Sequence, residues 1–330
     1  MYKFLVFIML ILGSCTVSTS PVEEVSSTGL VGLPQFVYFV SSNIGYSFSN
    51  VRTWNDNSPH PSEDCSVFKT NDGGRTWSKL CNIHEASFSP IYTALGQDIY
   101  VVCSFSEGHR IIKWDVSKDS ITAQSSNLPA ISYLWTHDSM LHFTSSRKPS
   151  MLYSMSLNLE YERSIESLNG YILGCSSNAR GSLCIFSNNG KKYIAALDGI
   201  NMSKIINIPH FSPQEIVSYD DETMLIIGND CRDQKAMVVR FHMITNKFEI
   251  HNFDNYSIIR SLVISGERCV CLLGNEKGHF VEYSLGYLES IDSSWYIIGL
   301  RNNKRCVPIS LINNKCYLYG GPNMFQEVLL

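Results

Sequence analysis

The stretch Ile111-Ile-Lys-Trp-Asp-Val116, followed by Ser117-Lys-Asp119 and Ser120-Ile-Thr-Ala-Gln124, reads as two short strands around a polar turn. Its β-branched and aromatic residues favour a hairpin over a helix. The pattern returns at Val238-Val-Arg-Phe-His-Met243, Thr245-Asn-Lys247 and Phe248-Glu-Ile-His251. Apolar segments that open such a hairpin start at Val67, Ile111, Leu152, Tyr193, Met237 and Phe280, at intervals of 44, 41, 41, 44 and 43 residues. A second series of turn signals interleaves with them, near Asn43, Gly96, Asp138, Ala179, Asp221, Gly266 and Asn313.

Four strands in about 42 residues is the spacing of one propeller blade. The chain is therefore expected to be all-β, a seven-bladed β-propeller of four-stranded antiparallel blades forming a single domain over residues 33–330. The 17 Tyr and 16 Phe agree with strands, and no stretch keeps a helical period over three turns. The last unit ends on Phe325 to Leu330 and lacks an outer strand, so the N-terminal segment around Ser27 to Leu33 is the expected donor. Such closure removes exposed edges. A six-bladed ring with extra strands and a pair of β-sandwiches are the alternatives.

The N-terminus has a different character. Lys3 precedes an apolar run, Phe4 to Leu12, that is too short to span a bilayer and suits a signal peptide. It leads into Leu12-Gly13-Ser14-Cys15, which resembles a bacterial lipobox. The resemblance implies a lipoprotein signal peptide over residues 1–14, a lipidated Cys15, and anchoring in the cell envelope of a Gram-negative bacterium. By resemblance to enterobacterial lipoproteins, Thr16 at the following position implies sorting to the outer membrane. Ordinary cleavage near Ser14 is the alternative. Residues 15–32, with no packing pattern, read as a flexible tether. The 11 cysteines, without any Cys-x-x-Cys or zinc-like spacing, suggest an oxidising compartment.

One hairpin carries a specific signature, Thr70-Asn71-Asp72-Gly73-Gly74-Arg75-Thr76-Trp77. It resembles the Asp-box (BNR repeat) of sialidases, sortilin-like domains and photosystem-assembly-factor-like propellers. The residue types suit a tight turn. Asp72 can accept backbone N–H groups across it, Gly74 supplies a positive φ, and Trp77 can pack on a neighbouring strand. The resemblance implies a structural role for Thr70, Asp72, Gly74, Thr76 and Trp77, between the third and fourth strands of a blade. If Thr70 faces Thr76, then Cys65 faces Cys81, a candidate disulfide; two free core thiols are the alternative. Cys175 and Cys184 flank another turn and form a second candidate. Cys103, Cys231, Cys269, Cys271, Cys306 and Cys316 read as small buried hydrophobes, with Cys269 and Cys271 on one side of a strand.

A catalytic site is harder to find. Sialidases resemble one another in an arginine triad, a Tyr nucleophile backed by Glu, and an Asp acid. Here the first strand, Leu33 to Tyr38, has no such arginine, and Arg260 is the one candidate on a later inner strand. No nucleophile elbow, phosphate loop or zinc motif occurs, and no cofactor or metal is expected. His137, Asp138 and His142 read as turn residues exposed to solvent.

Propellers usually bind through the loops that follow the second strand of each blade. These carry Arg110, Arg147, Lys148, Lys191, Lys192, Arg232, Lys235 and Lys277 against Glu107, Asp230, Asp233 and Glu276, in a chain whose net charge is −4. The imbalance suggests an anionic partner, with ordinary solvated loop charges as the alternative. The loop of blade 1 is longest and offers Trp54, Asp56 and His60 as binding candidates, with a plain surface insertion tied down by Cys65 as the alternative. The mild net charge argues against nucleic acid. The reading is a non-catalytic envelope protein that binds a protein partner, as a scaffold or a toxin-immunity factor, and touches the membrane only through its lipid. A sialidase-like propeller that binds or cleaves glycans is the alternative.

Overall fold

A computed structural model describes residues 22–26, 33–53, 62–145, 151–166, 170–198, 201–277, 280–300, 307–312, 315–321 and 324–330. The chain is a seven-bladed β-propeller. Its 28 strands form seven four-stranded antiparallel sheets. Six sheets are made of consecutive strands. The innermost strands of blades 1 to 7 are Leu33–Phe39, Ala86–Leu95, Ile131–His137, Tyr171–Asn178, Phe211–Ser218, Ile258–Ser265 and Val307–Ile312. In all seven blades the register between the first and second strands shifts once. An extra residue at each shift, and two between Phe88 and Tyr92 in blade 2, increases local twist where the sheets crowd the axis.

The seventh blade closes the ring, but not with the expected segment. Its outer strand is Val22–Ser26, which pairs antiparallel with the third strand, Met324–Leu329, from Val22↔Val328 to Ser26↔Met324. The packed domain thus begins inside the stretch read as tether. Leu33 is unavailable as donor because it already opens the first strand of blade 1, opposite Asn50.

Burial follows the ring. The described core divides into seven clusters, one at each blade interface. Between blades 1 and 2 it is aromatic, with Phe36 stacked on Phe48 (4.5 Å) and Tyr92 (4.1 Å), and Trp114 edge-on to Phe48. Between blades 5 and 6 it is mixed, with Cys269 and Cys271 among leucines and isoleucines and with Tyr219 and Phe253 in the same cluster.

Polar bonds tie the blades at their rims. Asn50 of blade 1 bridges to blade 2, accepting from the Phe88 amide at 2.7 Å and donating to the Phe88 carbonyl at 3.1 Å. A tyrosine early in the second strand recurs as a clasp. Tyr46 donates to Val116 of blade 2, Tyr100 to Leu157 of blade 3, and Tyr317 of blade 7 to Ser42 of blade 1. Asp119 accepts from Tyr46 and from Lys69, each at 2.6 Å. Burial opposes its ionisation, but these two bonds hold its carboxyl below the usual range.

The cysteines are free thiols throughout the described residues. Cys65 lies opposite Ile83 and Cys81 opposite Val67, because a register shift between Val67 and Phe68 slides one strand past the other. The proposed Cys65–Cys81 bridge is therefore excluded by register. Cys175 and Cys184 do face one another, yet both remain thiols. Cys103, Cys269, Cys271 and Cys316 are buried as expected, whereas Cys231 is exposed on a turn. Cys15 and Cys306 lie outside the described residues.

If Val22–Ser26 holds the ring shut, deleting residues 22–26 should lower Tm by at least about 4 °C. Deleting residues 16–20 should leave it unchanged. Scanning calorimetry of the two deletions checks this, and equal Tm values would refute the closing role.

Candidate functional site

Antiparallel order sends the turns after every second strand to one face, together with the blade-to-blade connections. The turns after the first and third strands go to the other. Arg110, Lys191, Lys192, Arg232 and Lys235 all fall at the former face, in blades 2, 4 and 5. Trp54, Asp56, His60, Arg147 and Lys148 lie outside the described residues.

The charges on this face are unequal in freedom. Arg110 bonds Glu107 and Asn127 and stacks over Phe105. Arg232 makes a two-point contact with Asp230, at 3.1 and 2.7 Å, and Lys235 bonds Asp233 and Asp254. Hydrogen bonding from Arg232 holds the Asp230 carboxyl down at about 2. Asn229 reaches back to the Gln234 and Ser257 carbonyls, both at 2.8 Å, so the whole turn is braced internally. Lys191 and Lys192 of blade 4 have no ion pair among the described residues.

The Thr70–Trp77 turn sits on the opposite face, between the third strand, Ser62–Thr70, and the fourth, Ser78–Ile83, of blade 1. Asp72 accepts from the Thr76 amide at 2.8 Å and its hydroxyl at 2.6 Å, and from the Thr70 hydroxyl at 2.8 Å. Partial burial opposes these bonds, yet they hold Asp72 below the usual carboxylate range. Gly73 and Gly74 take φ of 71° and 90°, as the turn demands. Trp77 donates to the Gly74 carbonyl and packs edge-on to Phe39 at the blade 7–1 interface. Each of the five turn residues is thus used within the turn or the core.

His142 corrects an expectation. It is buried, stacked 5.5 Å from Trp135, and burial pushes its pKa down to about 4. His137 pairs with Asp138 at 3.2 Å and borders a recess of about 450 Å³ shared with Arg180, Met243 and Asn246. A second groove, of about 340 Å³, lies between blades 5 and 6 beside Arg240, Glu249, His251 and Trp295. No group of three metal-ligating side chains forms among the described residues.

The axis holds a group not singled out in the sequence. Glu215, on the innermost strand of blade 5, faces Tyr92 and Tyr133 of blades 2 and 3, whose hydroxyl pKa values are raised by burial first and by its charge as well. It accepts the backbone N–H of Leu262 at 3.3 Å and that of Ser261, at the bulge of blade 6 where Ser261 has φ of 54°. Desolvation outweighs those two bonds and pushes its carboxyl up to about 7. The sequence signal was an acid in an inner strand, beside Pro213 and Gln214. Arg260 is the one arginine carried by the seven innermost strands, so those strands supply no arginine cluster.

No protein-family model matches the chain, and no curated protein does. Solved structures match its shape. It is similar to a chain of the mitotic checkpoint complex (TM-score 0.63, 8% identity, covering 100% of this chain and 99% of that one). It is also similar to the β-propeller domain of Cps50 (Swd1) from Myceliophteria thermophila (TM-score 0.61, 10% identity, 94% of this chain and 100% of that one). Hydrazine synthase from Kuenenia stuttgartiensis matches less of it (TM-score 0.53, 12% identity, 68% of this chain and 70% of that one). At these identities the likeness concerns the propeller fold alone.

Glu215 gives a pH dependence of defined sign. Its folded pKa lies above the ordinary 4.5, so its contribution to stability is fully present below about 4.5 and is lost as pH rises to about 7. The loss is at most on the order of 3 kcal/mol. Urea unfolding at pH 5 and pH 8 should show a smaller drop for Glu215→Gln than for the unaltered chain; equal drops would sink this account.

Proposed function

We propose that this chain is a non-catalytic, lipid-anchored envelope protein that captures a protein partner on the face carrying the turns after the second strands. The observation that carries the reading is the contrast between two neighbouring turns of that face. The Asn229–Lys235 turn is braced by its own hydrogen bonds, while Lys191 and Lys192 stand beside it without an ion pair among the described residues. A preformed projection loses little entropy on docking, and unpaired cations next to it select an anionic partner surface. A rigid ring with many surface turns suits either a scaffold or a toxin-immunity factor.

Two sequence features set the context. Leu12-Gly13-Ser14-Cys15 supports lipidation at Cys15, and Thr16 supports the outer membrane. The bonding of Asp72 to Thr70 and Thr76 supports an Asp-box hairpin with a structural role. Glycan cleavage of the sialidase type has weaker support, since Arg260 has no inner-strand arginine partner.

The double variant Lys191→Glu/Lys192→Glu should cut capture of the partner from envelope extract by about tenfold or more, at unchanged Tm. Undiminished capture would move the interface elsewhere. Separately, Cys15→Ser should shift the chain from the membrane fraction to the soluble fraction; retention in the membrane would refute the lipid anchor.

A further inference from the structure

Seven blades leave seven outer strands, each with one row of backbone N–H and C=O groups facing outward. Such edges invite pairing with other chains, and proteins blunt them by bulges, charges or shortness. Six of the seven are blunted here. The outer strands of blades 1 to 4, Ser78–Ile83, Ser120–Gln124, Tyr161–Glu166 and Asn201–Ile206, each meet their neighbour through a register shift. That of blade 6, Tyr296–Gly299, has 4 residues. That of blade 7, Val22–Ser26, has 5 residues and carries two like charges in succession, Glu23 and Glu24, which repel a second copy, whereas the charges of the blade 5 edge, Lys247 and Glu249, are opposite in sign.

Blade 5 differs. Its outer strand, Lys247–Phe253, has 7 residues in unbroken register with Ala236–His242. The first six are exposed, and they include Phe248 (36%) and Ile250 (42%). We propose that this edge is the interface of a two-fold homodimer, in which Lys247–Phe253 of one copy pairs antiparallel with Lys247–Phe253 of another to form one eight-stranded sheet.

The sequence of the edge selects the second copy as its occupant. A two-fold axis normal to the sheet preserves the side on which each residue lies, so the axis must pass through a residue that faces itself. Centring it on Glu249 opposes two carboxylates, which is destabilising. Centring it on Ile250 uses the full strand and sets Ile250 against Ile250, Phe248 against Asn252, and Glu249 against His251 twice. No like charges meet. Glu249 and His251 border the groove between blades 5 and 6. In this register the partner's His251 lies over Glu249, which Arg240 already holds at 3.0 Å.

The full chain in mild detergent should sediment as a dimer. Ile250→Lys should raise the dimer dissociation constant by about tenfold or more. Ile121→Lys, at a similarly exposed position on the bulged edge of blade 2, should leave it unchanged. Mild oxidation of the Ile250→Cys chain should give a cross-linked dimer beyond any formed by the unaltered chain through Cys231, and Asn252→Cys should not. A chain that sediments as a monomer at every concentration overturns the proposal. So does a dimer indifferent to Ile250→Lys, or one in which Cys at 252 links as well as Cys at 250. A monomer whose edge is occupied by a strand of another protein would also overturn it and assign the edge to a foreign segment.

Discussion

The antiparallel pairing of Val22–Ser26 with Met324–Val328 joins segments from the two ends of the chain within one sheet. An open array of blades would leave its terminal sheet short of a strand, with an unpaired edge on the third. With the ring closed, each blade packs both faces against neighbours, which is why the described core falls into seven interfacial clusters rather than one centre. Stability is therefore distributed. Each interface is supported from both sides only while the ring stays shut, so five residue pairs of one strand bear on packing well beyond their own sheet.

The interfaces solve the same geometric problem with different side chains. Blades 1 and 2 meet through Phe36, Phe48, Tyr92 and Trp114, whose rings stack or meet edge to face. Blades 5 and 6 meet mainly through aliphatic groups, Leu225, Ile259 and Leu273, with two thiols and the ring of Phe253. Burial pushes the Cys269 thiol well up and keeps it protonated, so it acts as a small apolar group. The tyrosine clasps add direction to this packing. Tyr46, Tyr100 and Tyr317 each bury a ring at an interface while the hydroxyl finds a carbonyl of the adjoining blade.

The propeller was legible because its turns are punctuated. The signals at Gly96, Asp138, Ala179 and Gly266 fall on the connections between first and second strands, and hairpin spacing carried the blade count. What failed was register. A single shift at Val67/Phe68 separates Cys65 from Cys81, and nothing in Phe68-Lys-Thr or in Lys79-Leu80 announces it. The closing strand was misplaced because the alternation in Val22-Glu-Glu-Val25-Ser is broken by its second acid. Of the candidate site, loop membership was readable for Arg110, Lys191, Lys192, Arg232 and Lys235, but pairing was not. Asp230 neutralises Arg232 from within the same turn, a local bond that charge counting scores as binding potential. Glu215 is easily passed over for a related reason. An isolated acid reads as surface until topology carries its strand to the axis.

Closure also bears on how a lipid at Cys15 would present the ring. Ser26 lies opposite Met324, at the end of blade 7 that shares a face with the turns after the second strands, and Val22 lies at the other end, opposite Val328. The chain therefore enters the propeller from the face that carries the Thr70–Trp77 turn. From Cys15 to Val22 is seven residues, a reach of at most about 25 Å. If Cys15 carries the proposed lipid, a ring tethered so closely would keep the Thr70–Trp77 face toward the bilayer and turn Lys191, Lys192 and the braced Asn229–Lys235 turn away from it. Under that proposal the strand that shuts the ring would also select which face is open to a partner.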